Sequence, residues 1–162
     1  MNAVILSNPL LASIVVAGIL GSLLFSVFLI LMARSGIAAE IRDEEGHFKK
    51  LKGIRAWFGM LFFIAFLLSV LIGGNLLYAH WINSNLTLFN RFLNAFGVFL
   101  FLHVYDLLII DYLIVVKWHP AFLNLPETGY YSTMKPHIVG FIRGLPLGIV
   151  FSVIAATISY FF

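Results

Sequence analysis

Three ionisable side chains interrupt the stretch FLHVYDLLIIDYLIVV, residues 101–116: His103, Asp106 and Asp111 stand in a run that is otherwise apolar or aromatic. An ionised group in hydrocarbon costs roughly 2.5–3.5 kcal/mol on insertion scales, so such residues face protein, water or cargo and often mark a pathway or site. His103 and Asp106 are three apart, share a helix face and can share a proton. They form the candidate proton or ion site. On an α-helix Asp111 lies about 140° around from Asp106, nearer the side of Asn90, Asn94 and Tyr112. Two polar faces make this helix the centre of a bundle or the wall of a cavity. Asp111 is six residues from Lys117, and Arg143 is six from His137, where the last apolar segment begins. Antiparallel neighbours would bring the two to one depth, so Arg143 is the expected counter-charge of Asp111, as an ion pair or gate.

Other chemistries find less support. A b-type haem needs two axial ligands at one depth; His103 is mid-segment, His80 at the far end of another, and a haem would have to be shared between two copies of His103. A metal needs three or four ligands, and the alternative set is His119, Glu127 and His137, with no recognised metal motif around it. There is no cysteine, which excludes disulfides, thiolate nucleophiles and cysteine-ligated metal. Neither a nucleophile elbow nor a Gly-rich phosphate loop is present. The sequence leaves the cofactor unassigned. Residues 125–129, LPETG, match a sortase signal by chance, because the apolar stretch that follows ends without a basic tail. Asn85-Leu86-Thr87 is a glycosylation sequon, of consequence only where that machinery exists.

The elements that must hold these residues are transmembrane helices. The 162 residues are 62% hydrophobic and 10% charged, with a mean hydropathy of +1.03, which is too apolar for a soluble domain. Four stretches, about 9–33, 54–79, 90–117 and 137–161, each reach the ~20 apolar residues that cross a bilayer. The expected fold is an all-α bundle of four transmembrane helices in one domain, with the long third span tilted or protruding. Arg34, Arg42, Lys49, Lys50, Lys52 and Arg55 lie in or beside the first connection, and Lys117 and Lys135 flank the third, whereas the second has only Arg91 at its edge. By the positive-inside rule both termini lie on the non-cytoplasmic side. Basic residues so placed report topology and not nucleic-acid binding. In the segment 34–53, Ile37, Ile41, Phe48 and Leu51 fall near one helical face, as in a short amphipathic helix on the membrane surface.

Small residues recur every four positions at Gly18, Ser22 and Ser26, and at Gly140, Gly144 and Gly148. Helices pack closely over such stripes in lipid, within one subunit or between copies; Pro146 should kink the second. Three functions fit. The leading one is movement of a proton, ion or small solute, as an oligomer or with a partner membrane subunit. The alternatives are a membrane-embedded metal or haem enzyme or redox subunit, and a non-catalytic anchor or regulatory subunit.

Overall fold

The first and third spans begin where the sequence supplies a cap. The Asn8 side chain accepts from the Leu11 amide at 3.2 Å, and Pro9 fills the first helical position, where its missing N–H costs nothing. Thr87 Oγ1 accepts from the Asn90 amide at 3.2 Å and starts the third span. Gly36, at φ +75°, follows the end of the first span, in the left-handed conformation that glycine adopts without a Cβ penalty.

The computed structural model describes residues 8–37, 53–82, 86–123 and 128–162. We label the helices α1 (Pro9–Arg34), α2 (Ile54–Ile82), α3 (Leu88–Tyr105), α4 (Gly129–Ser132) and α5 (Met134–Tyr160). α3 continues without a break as a π-helix, Asp106–Trp118, and a 3₁₀ turn, Ala121–Leu123, follows it. Four of these stretches are long and apolar enough to cross a membrane: α1, α2, α3 with its π extension, and α5. The protein is an all-α, multi-pass bundle of four membrane helices, and a lipid bilayer is its environment. The surface helix expected within 34–53 and the sequon at Asn85 lie largely outside the described residues.

α3 is central, packing on α1, α2 and α5. A stack of Phe25, Phe28, Phe62, Phe63 and Phe66 joins α1 to α2. The interior between the four helices is a dry layer of Leu71, Ala95, Val98, Phe99, Leu102 and Ala155 around Ala17 and Leu67. With lipid on the outside there is no hydrophobic force to draw these helices together, so close packing carries the association. The small residues provide it unevenly. A Cβ at Gly18 would strike the Phe101 ring, and one at Gly148 the Phe99 ring, whereas one at Gly140 would meet nothing within 4 Å. Ser22 is buried; Ser26 reaches the Tyr105 hydroxyl at 2.8 Å and ties α1 to the end of α3.

These contacts fix the register of the antiparallel pair α3 and α5. Gly148 lies on Phe99, Gly144 on His103, and His137 meets Asp111. Arg143 is therefore level with residues near Val104, about 10 Å along the axis from Asp111. The two do not reach one depth as the counting from Lys117 and His137 suggested, because the third span overshoots the start of α5 by more than a turn. Arg143 is exposed on the outer side of α5.

Candidate functional site

The π-helix is the first determinant of the site. Its hydrogen bonds run i to i+5, as His119 N to Ile114 O at 2.8 Å shows at its end. Residues five apart then stack close to one side, where an α-helix would separate them by about 140°. Asp106 and Asp111 are five apart and both lie in this segment. The two polar faces expected of an α-helical third span are thus drawn together. Such stretches are rare and concentrate at functional sites.

His137, in the first turn of α5, meets Asp111. It is 4% exposed. Nδ1 lies 2.8 Å from Asp111 Oδ1, and Nε2 lies 2.9 Å from the Tyr130 carbonyl oxygen of α4. Asp106 is also within electrostatic reach of the ring. A carbonyl only accepts, so Nε2 carries a hydrogen and donates it. Nδ1 then faces a carboxylate oxygen, and one proton must lie between them. It rests on Nδ1 with the carboxylate ionised, or on the carboxyl with the imidazole neutral. Both forms keep the hydrogen bond. The pair therefore holds one proton in either form, and the Asp111 side chain is 21% exposed. The Tyr130 ring lies 4.8 Å from the imidazole and closes the other side.

His103 is placed differently. Its Nε2 donates to the Phe141 carbonyl oxygen at 2.8 Å, and its ring stacks on Phe141 at 4.4 Å and tilts against Phe99 at 5.0 Å. Gly144 makes this possible: a Cβ there would come within 2.7 Å of His103 Cε1 and 2.8 Å of Nε2. The acceptor stands beside Ile142, whose carbonyl loses its usual helical donor at Pro146. His103 thus pins α3 to α5 at the edge of the dry layer.

His119 donates Nδ1–H to its own Val115 carbonyl at 3.1 Å and takes a left-handed conformation, φ 45°, where the π-helix stops before Pro120. Glu127 lies outside the described residues. Among the described residues no three His, Cys, Asp or Glu side chains are arranged to hold a metal. Both ring nitrogens of His137 and one each of His103 and His119 are already engaged with the protein.

A second polar layer lies beyond the dry one, and its connectivity is not legible in sequence spacing. Asn94 Nδ2 donates to Asn75 Oδ1 at 3.0 Å, Asn75 Nδ2 to Ser159 Oγ at 3.0 Å, and Ser159 Oγ to the Ala156 carbonyl at 3.1 Å. Ser13 Oγ donates to the Gly74 carbonyl at 3.0 Å beside it. The four helices are joined there through buried amides and hydroxyls. The only sequence signal was an amide in each of two apolar spans. No protein-family model, no curated protein and no solved structure matches this chain.

Proposed function

We propose that this protein moves a proton, or couples a proton to an ion or small solute, through the polar end of its third span. The proton is carried by Asp111 and His137 with Asp106 beside them. The observation that carries this reading is the buried imidazole held between a carboxylate and a carbonyl, an arrangement that contains one transferable proton in either charge state. The basic residues of the first and third connections put this end on the cytoplasmic side, with both termini opposite. The dry layer of Val98, Phe99 and Leu102 separates the site from the other membrane face. Transport then requires that layer to open, with His103 at its edge, or a path between subunits. The open flank of α5 at Gly140 is where a second copy or a partner membrane subunit would pack.

The test is proton flux into proteoliposomes carrying a trapped pH-sensitive dye, under an imposed potassium diffusion potential. Asp111→Asn keeps the shape and lets the new amide donate to His137 Nδ1, so the fold survives while the exchangeable proton is gone. Flux should fall at least tenfold, with the melting temperature in detergent nearly unchanged. Wild-type flux no greater than that of empty liposomes would sink the proposal. So would a variant that transports normally, or one that only loses folding yield, which would make the pair a clamp between the π-helix and α5.

A further inference from the structure

Arg143 is exposed on α5 and makes no hydrogen bond or ion pair among the described residues. Its guanidinium is always charged and offers five donors in a fixed fork. Depth makes that position costly. Arg143 lies about 14 Å along α5 from Met134. With the helix, about 40 Å long, centred on a hydrocarbon core of about 30 Å, its Cα is about 8 Å inside. Acyl chains offer nothing to a charge there, and lipid phosphates lie beyond the boundary. Gly140, Arg143, Leu147 and Val150, spaced three, four and three apart, make one exposed face of α5. A Cβ at Gly140 would meet nothing within 4 Å. The backbone of a neighbouring helix can come close at that point, one turn from the guanidinium.

The chain's own carboxylates do not supply the counter-charge. Asp111 is held by His137 at 2.8 Å, and Asp106 is engaged within its own subunit. Glu40, Asp43, Glu44, Glu45 and Glu127 fall in sequence within the connections between spans. A second copy would not change this. Homo-oligomers are symmetric, and two copies inserted with the same orientation hold each residue at one depth. At the level of Arg143 a second copy therefore presents another Arg143 and, about 3 Å further along, an Asp106 that is already committed. Like charges would meet with no free carboxylate between them.

We propose that this face of α5 docks a transmembrane helix of a different protein, one that carries an Asp or Glu at the depth of Arg143. Charge complementarity selects the partner. Each of the two charges offsets what the other costs in lipid, and the guanidinium fork suits a two-pronged bond to a carboxylate. Gly140 is the point of closest approach, and Leu147 and Val150 pack along the same helix beyond Arg143. The face stands apart from the Asp111–His137 pair, so the inference goes beyond the transport reading and does not depend on it.

Resonance energy transfer in dioleoyl phosphatidylcholine vesicles tests this, with a donor dye on Ser132→Cys of the full-length, otherwise cysteine-free chain. The probe is a synthetic Leu-Ala transmembrane helix that carries an acceptor dye and one Glu about 8 Å inside its apolar stretch. The control helix has Gln in place of that Glu. The Glu helix should associate at least tenfold more tightly than the Gln helix. Arg143→Gln should remove that preference. Gly140→Leu should weaken association of both helices by keeping them at a distance while leaving Arg143 in place, so a failure of Arg143→Gln to fold does not leave the idea unchecked. Equal affinity for the two helices would overturn the proposal, as would wild-type association in Gly140→Leu. So would self-association of the chain that Gly140→Leu abolishes, which would assign the face to a second copy. Loss of the Glu preference on adding dioleoyl phosphatidylglycerol would instead assign Arg143 to a lipid phosphate and overturn it too.

Discussion

Gly140 and Gly144 are one turn apart on α5 and belong to one sequence stripe, yet their surroundings differ. A Cβ at Gly144 would press on the His103 imidazole at 2.7 Å, and one at Gly140 would enter open space. His103 is held by two aromatic rings and by its bond to the Phe141 carbonyl, so it has little freedom to retreat. Gly144→Ala should therefore destabilise the bundle by about 1–3 kcal/mol, the usual range for overpacking. Gly140→Ala should be neutral or stabilise by up to about 1 kcal/mol through helix propensity. Thermal unfolding of the two variants in one detergent checks this, and equal melting temperatures would contradict the assignment of Gly144 to a close approach. The sequence showed the spacing of both glycines but not which face of α5 meets α3. That choice is made by the ring of His103 and its acceptor on the neighbouring helix.

At the scale of elements, the third span is two helices of different kinds. α3 buries Arg91, Asn94, Ala95, Val98, Phe99 and Leu102 against its neighbours, whereas the π-helix that continues it buries only Val115. Local stability follows the density of packed contacts, and i to i+5 bonding is itself rarely adopted. Amides of residues 106–118 should exchange with solvent deuterium at least tenfold faster than those of residues 92–105, a difference of about 1.4 kcal/mol in opening free energy. Mass-spectrometric hydrogen exchange in nanodiscs measures it, and uniform protection along the span would show the π-helix to be as rigid as α3. The same element explains why the angular argument for Asp106 and Asp111 failed. It assumed 100° per residue, and nothing in FLHVYDLLIIDYLIVV announces a change of pitch. The pitch is settled by how the segment docks on α4 and α5.

For the whole molecule, the absence of cysteine makes topology directly measurable. Single cysteines introduced at the exposed positions Ser132 and Phe162 should label from opposite sides of the membrane, Phe162→Cys from outside in intact cells and Ser132→Cys only after permeabilisation. The reverse pattern would invert the orientation, and labelling of both from one side would refute the crossing of the membrane by α5. The number of spans, their approximate bounds and the all-α class were fixed by composition and run length, because a bilayer admits few solutions for a chain this apolar. The presence of costly polar groups on the third span was equally plain, since ionisable residues are conspicuous against Leu, Ile and Phe. Which group each one meets was decided only in three dimensions. Arg143 missed Asp111 because the helix register differs from a count made from the loop ends, and His137 took its place. Asn75, Asn94 and Ser159, far apart in the chain, found each other across three helices. Hydrophobicity is additive along a sequence and can be read from it; hydrogen-bond partners depend on axial register and helical pitch, which only the packed bundle determines.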